Sequence, residues 1–230
     1  MFSYSWTEMN IKAFTLAEVL IALVIIGVIA AMTVPTITAN VNKQAMISAL
    51  KKESSVLAQA LERYYFENGE RLVPDEYRAT HSLKSEFMSY FNVLADCGLG
   101  HDDVNTACIP NTNNGSYNGQ NKNAYYNYNH SAKIAMEFFD DGQFVLTDGS
   151  LVLLENNNKE IFVSVDINGY AKMPNQLGKD LFMFQVMDNG TLKPMGMEGT
   201  KYSASLYCSN SSTSTMNGAG CTVKFLNKHS

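Results

Sequence analysis

Charge is scarce in this chain. Only 17% of its 230 residues are Asp, Glu, Lys or Arg, and no basic run is longer than Lys51-Lys52. Neutralising a phosphate backbone takes clustered cations, so a strongly basic nucleic-acid binder is excluded, and the net charge of −5 agrees. Acidic residues are equally scattered, which excludes an acidic partner-binding tail. Histidine is rare too: His81, His101, His130 and His229 are all there are, and none is spaced with Glu as in a zinc hydrolase. The sequence has no Gly-x-Ser-x-Gly elbow and no phosphate loop. No catalytic constellation emerges, and the chain reads as a protein without enzymatic activity. The nearest polar cluster, His101-Asp102-Asp103, reads as solvated loop. With 46% hydrophobic residues and so few charges, apolar side chains must be concentrated somewhere.

That place is the N-terminus. Phe14 to Ile37 reads FTLAEVLIALVIIGVIAAMTVPTI, 24 residues whose one charge is Glu18. As helix this spans roughly 36 Å, enough to cross a hydrocarbon core of about 30 Å. Before it lies MFSYSWTEMNIKA, in which Lys12 is the one basic residue. An ordinary secretory signal would use Val28-Ile29-Ala30 followed by Ala31 as its small-residue cleavage site, and a plain anchor would stay uncut. Neither accounts for Glu18, because a carboxylate in an apolar segment costs on the order of 2.5–3.5 kcal/mol at the bilayer centre, less near the end. It becomes sensible if a positive charge from another chain meets it there.

Lys12-Ala13-Phe14-Thr15-Leu16-Ala17-Glu18 resembles the cleavage and methylation motif of type IV prepilins and type II secretion pseudopilins. The resemblance implies that a membrane peptidase cuts before Phe14 and methylates the new amine. It implies that Glu18, fifth in the mature chain, pairs with that amine on a neighbouring subunit during filament assembly. Gly27 and Pro35 fall where such proteins often carry helix-loosening residues. The residue before the cut is Ala13 where the family usually has Gly, which predicts slower processing or a tolerant peptidase. The implied partners are the prepilin peptidase, other pilin or pseudopilin subunits, the membrane and the assembly machinery. The implied location is the inner membrane with a periplasmic head, then the filament. The resemblance is specific over residues 12 to about 37.

Beyond Pro35, TANVNKQAMISALKKESSVLAQALERYYFENG keeps helix-forming composition up to Gly69. Met46, Leu50, Leu57, Leu61 and Tyr64 form one apolar stripe at 100° per residue. Glu53 falls within the same arc, as a partly exposed edge residue or as a residue with a partner at a subunit contact. Helix from Phe14 to about Asn68, with Asn68-Gly69 as its stop, would span roughly 80 Å. Ser82 to Leu94 carries Leu83, Phe87, Tyr90, Phe91 and Leu94 at helical spacing and predicts a short helix capped by Ser82. A polar loop follows, through Asn111 to His130. Strands are predicted from Ala132: AKIAMEFF, QFVLT, SLVLLE and EIFVSVD with hairpin turns between them, then LFMFQVMD and TLKP around Asn189-Gly190.

The expected fold is therefore α+β and pilin-like. A leader (1–13) precedes an assembly helix (14–37) and its amphipathic continuation (38–68), and an antiparallel meander packs on that helix in a head (69–230). Cys97, Cys108, Cys208 and Cys221 would lie outside the cytoplasm, where disulfides persist, and of three pairings the sequence-local one is the simplest. A four-cysteine zinc site, helped by His101, lacks any Cys-x-x-Cys knuckle. Asp166, Asn168 and Asp180 concentrate oxygen ligands between two strands and could hold calcium, as loops in several pseudopilins do, but the EF-hand pattern fails. Asx turns explain the same residues. No other cofactor is indicated. The resulting expectation is a structural subunit of a type IV pilus or a type II secretion pseudopilus. Its rivals are a membrane-anchored exported domain and a minor pilin with an adhesive or DNA-capturing tip, for which GSYNGQNKNAYYNYNH offers stacking aromatics but only Lys122 as a base.

Overall fold

The computed structural model describes residues 14–79, 81–99, 107–109, 125–134, 136–157 and 159–227. The leader, with Lys12 and Ala13, lies outside them, as do His101-Asp102-Asp103 and Lys122. The chain forms two compact units, Met1–Gln44 and Ala45–Ser230.

The first described element, α1, runs over Leu16–Asn68, so the helix starts two residues after Phe14. Within the first unit its side chains are exposed on every side, including large apolar ones such as Leu20, Ile21, Leu23, Val24 and Ile26. A helix that is apolar all round has no water-facing side, and by length and composition it can cross a bilayer. The helix continues through Pro35, which has no N–H to give. Nearby hydroxyls bond back along the same stretch, Thr33 to the Ile29 carbonyl and Thr38 to the Val34 carbonyl, each at 2.9 Å. These polar groups are thus satisfied without leaving the helix, as an apolar solvent demands.

In the second unit α1 becomes one-sided. Ile47, Leu50, Leu57, Ala60, Leu61 and Tyr64 are buried, which matches the predicted stripe except that Ile47 takes the inner position while Met46 is half-buried. The helix stops at Gly69, whose φ of +76° places it in the left-handed region and whose N–H bonds to the Tyr65 carbonyl at 2.9 Å. The Asn68 amide adds a bond to the Tyr64 carbonyl at 3.0 Å.

The head is a six-stranded antiparallel meander in the order β1-β2-β3-β4-β5-β6. The strands are β1 (Val93–Asp96), β2 (Gly142–Leu146), β3 (Leu151–Asn157), β4 (Glu160–Asp166), β5 (Leu181–Val186) and β6 (Leu192–Pro194). One face packs on α1, with Phe144, Val152, Leu154, Val163, Val165, Phe182 and Phe184 among its buried residues. The other face is buried as well: Val145, Leu151, Leu153, Phe162, Leu181 and Met183 lie under Tyr125, Ile134, Met136, Phe139, Met195 and Tyr202. This two-sided burial is why the central strands read as nearly continuous apolar runs.

Two predicted elements differ. Ser82–Leu94 is not one helix: α2 covers Lys84–Phe87, a 3₁₀ turn follows at Met88–Tyr90, and Val93–Asp96 is strand β1. Ser82 caps nothing. Its hydroxyl donates to the Ala79 carbonyl, and Leu83 occupies the N-cap without a side-chain bond. The apolar period correctly marks Leu83, Phe87, Tyr90 and Phe91 as core, but Leu94 is 64% exposed. Pairing of Val93 with Leu146 and of Asp96 with Phe144 outweighs helix continuation. Likewise the described residues of 132–139 form no strand: they hold one bridge, Lys133 to Tyr126, and a 3₁₀ turn at Met136–Phe138. Both edges of β2 are taken by β1 and β3, so this segment covers the sheet instead of joining it. The described end of the polar loop is not surface either, since Tyr125 and Asn127 are fully buried.

Candidate functional site

The N-terminal segment places Glu18 in the first turn of α1. There the first turn leaves N–H groups without a helical partner and presents the positive end of the helix dipole. One oxygen, Oε2, accepts both the Thr15 N–H and the Thr15 hydroxyl at 2.8 Å. The Thr15 hydroxyl oxygen in turn accepts the Glu18 N–H at 3.3 Å. This is a capping box. Its signature, Thr-x-x-Glu, is present in Thr15-Leu16-Ala17-Glu18, a local signal that the cleavage motif overlies. Phe14, one residue upstream, is 84% exposed. The arrangement can hold a carboxylate in a fixed place on an apolar helix with Oε1 left for another donor. Gly27 stands in open space, with nothing near the position of an added Cβ. Ala13 lies outside the described residues.

Asp166, Asn168 and Asp180 come together as a buried turn. Asp166 Oδ1 accepts the Asn168 and Gly169 N–H groups at 3.2 and 3.0 Å, and its Oδ2 accepts the Tyr125 hydroxyl at 2.6 Å. Asp180 accepts the N–H groups of Asn175 and Gln176, both at 2.7 Å. Burial, aided by the Asp180 charge, pushes the Asp166 carboxyl up to about 7. Burial raises Asp180 as well. The Asn168 amide nitrogen reaches the Lys172 and Met173 carbonyls, each at 3.2 Å. These are Asx-type turns that fix the β4–β5 connection, and a cation entering here would have to displace N–H and O–H donors.

The cysteines form two disulfides, Cys97–Cys108 and Cys208–Cys221. Both are sequence-local. Cys97–Cys108 ties residue 108 to the end of β1 within the second buried face, and Cys208–Cys221 closes the C-terminal segment on itself, with Cys97, Cys108 and Cys221 buried. Of the tyrosines expected to stack on a ligand, Tyr117 lies outside the described residues, and Tyr125 and Tyr126 are engaged internally. Tyr125 bonds to Asp166, and Tyr126 stacks on His130 at 3.6 Å with the Lys133 ammonium 3.2 Å from its ring.

Two charged clusters were not legible in one dimension. Glu53 is only 2% exposed, so it is not the partly exposed edge residue expected. It lies 3.4 Å from the Lys52 ammonium, which also pairs with Asp148 at the β2–β3 turn. Burial and the neighbouring Asp148 carboxylate push Glu53 up to about 7. Burial works against Asp148 too, yet hydrogen bonds from Lys52 and Ser150 hold it below the usual carboxylate range. On the other side, Asp140, Asp141 and Glu155 bring carboxylate oxygens within 4.8 Å of one another. There Asp141 accepts the Asn156 N–H at 2.7 Å and the His81 N–H at 3.2 Å.

Residues 9–34 match the family model of the prokaryotic N-terminal methylation motif, the prepilin-type leader of type IV pilins and pseudopilins. No curated protein and no solved structure matches the chain.

Proposed function

We propose that this protein is a structural subunit of a type IV pilus-like or type II secretion pseudopilus-like filament. The observation that carries the reading is a single carboxylate, Glu18, held by Thr15 at the start of an exposed apolar helix, inside a matched methylation motif. A prepilin peptidase cuts between Ala13 and Phe14 and methylates the amine. The chain waits in the membrane through α1, its head on the far side. During assembly the Phe14 amine of one subunit meets Glu18 of its neighbour. In low-dielectric surroundings two such charges attract far more strongly than in water, so the pair sets the register between helices. The rest of the apolar helix supplies packing without register.

N-terminal mass analysis of the protein purified from membranes tests the first step. The expected mature chain begins at N-methylated Phe14. A chain beginning at Ala31 would show secretory cleavage and end the proposal, and an uncut chain would reduce α1 to an anchor.

A further inference from the structure

The chain holds four Asn-x-Ser/Thr triplets, at Asn114, Asn129, Asn189 and Asn210. In an exported chain such a triplet is a candidate acceptor for an N-linked glycan, because the asparagine supplies a nitrogen and the hydroxyl two positions on can bond to its carboxamide. Asn114 lies outside the described residues. The other three differ in the two features the chemistry needs, a hydroxyl on the carboxamide oxygen and a nitrogen free to react.

Asn129 has the first and lacks the second. Ser131 donates its hydroxyl to Asn129 Oδ1 at 2.7 Å, but Nδ2 is engaged by the Asn210 and Ser212 carbonyls at 3.1 and 3.0 Å. At Asn210 the hydroxyl two positions on, that of Ser212, accepts the Ser214 N–H at 3.3 Å and makes no bond to the Asn210 carboxamide among the described residues. Asn189 has both features. Its Oδ1 accepts the Thr191 hydroxyl at 2.6 Å and the Thr191 N–H at 3.1 Å, while its Nδ2 has no partner among the described residues. The turn that carries it joins β5 to β6 and is held from behind. Gly190, at φ +73°, packs so closely on Arg71 and Leu72 that an added Cβ would sit 2.5 Å from the Arg71 Cβ. Asn189 and Thr191 themselves are exposed. Beside them lies a concavity of about 250 Å³, lined also by Met187, Asp188 and Lys193, with room for a sugar ring against the carboxamide.

We propose that Asn189 is the acceptor for an N-linked glycan, transferred from a lipid-diphosphate-linked sugar by a membrane-bound transferase outside the cytoplasm. The Asn189 nitrogen bonds to the anomeric carbon as that carbon's bond to the diphosphate oxygen breaks. The lipid diphosphate leaves with the electron pair, and one Nδ2 proton passes to a base of the transferase. The Thr191 hydroxyl makes that proton more acidic, since its bond to Oδ1 stabilises the negative charge that collects on the oxygen as the proton departs. The inference goes beyond the assembly reading and takes from it only that the head lies outside the cytoplasm.

The test takes the full chain from its native membranes and maps its peptides by mass spectrometry with electron-transfer fragmentation, which keeps a sugar on the residue that bears it. The expected result is a glycan on Asn189 and none on Asn129 or Asn210. Thr191→Val should lower occupancy about tenfold, the scale of one lost hydrogen bond, and Thr191→Ser, which keeps the hydroxyl, should restore it. A bare Asn189 in the wild-type chain overturns the proposal, and so does a glycan found on Asn129 or Asn210 instead, or occupancy unchanged in Thr191→Val. The same map reads the N-terminal peptide. N-methylated Phe14 with a bare Asn189 ends this inference and leaves the assembly reading standing, whereas a glycan on a chain that begins at Ala31 does the reverse.

Discussion

Replacing Glu53 by Gln should stabilise the head at alkaline pH and leave it nearly unchanged at pH 5. Glu53 is 2% exposed on the inner side of α1, and its Oε2 has no hydrogen-bond partner. Two influences compete for its proton. Lys52 at 3.4 Å favours the carboxylate, but that ammonium is 56% exposed and shared with Asp148, so water screens it. Burial and the adjacent Asp148 charge favour the neutral acid and win, which moves Glu53 from 4.5 to about 7. The sign follows from linkage. Between about pH 4.5 and 7 the folded protein holds a proton that the unfolded chain has lost, so stability falls as pH rises across that window. Below it Glu53 contributes fully. Above it the loss reaches about 3 kcal/mol, at about 1.4 kcal/mol per pH unit. For a head of this size that corresponds to a thermal midpoint lower by roughly 5–10 °C at pH 8 than the glutamine variant shows. Thermal melts of the detergent-solubilised chain, followed by near-ultraviolet circular dichroism of its tyrosines at pH 5 and pH 8, measure both differences. If Glu53→Gln melted below wild type at pH 8 and matched it at pH 5, attraction to Lys52 would outweigh burial and the reasoning would be refuted.

Glu18→Leu and Glu18→Gln should keep cleavage and membrane abundance while filament incorporation drops, as measured by sheared-filament against membrane protein; normal incorporation of both would remove the role given to the carboxylate. Thr15→Val, which loses the hydroxyl but keeps the N–H bond of the capping box, should fall between them and wild type in the same assay. Replacing Cys208 and Cys221 by Ser opens a closure of 13 residues and should cost about 3 kcal/mol in urea unfolding. Gly218→Ala should cost about 1–3 kcal/mol in the same measurement, because φ is +120° and an added Cβ would sit 2.1 Å from the Leu177 carbonyl oxygen.

The apolar half of α1, its stop at Gly69 and five of the six strands were legible because each is written in local chemistry: an unbroken apolar run, a left-handed glycine, strand stretches bounded by turn residues. The sixth strand was not. Val93–Asp96 continues the helical spacing of Leu83 and Phe87, and only the distant edge of β2 converts it to strand. The second buried face was half-written. Runs such as Leu151–Leu154 and Leu181–Phe184 do not alternate, which already says that water reaches neither side, but what covers them is assembled from pieces far apart in the chain. At the candidate site the pattern Phe14…Glu18 carried the identification. The burial of Glu53 did not show because its partner Asp148 lies ninety-five residues away, in a turn whose placement is purely tertiary.

The two outer strands of the meander are its shortest. β1 has four residues and a register break between Val93 and Ala95, and β6 has three and ends on Pro194. Open sheet margins are templates that recruit any passing extended chain, copies of the same protein included. A bulged margin on one side and a margin lacking a donor on the other offer too few aligned groups for such recruitment. Sheet-to-sheet fusion between copies into amyloid-like ribbons is thereby discouraged.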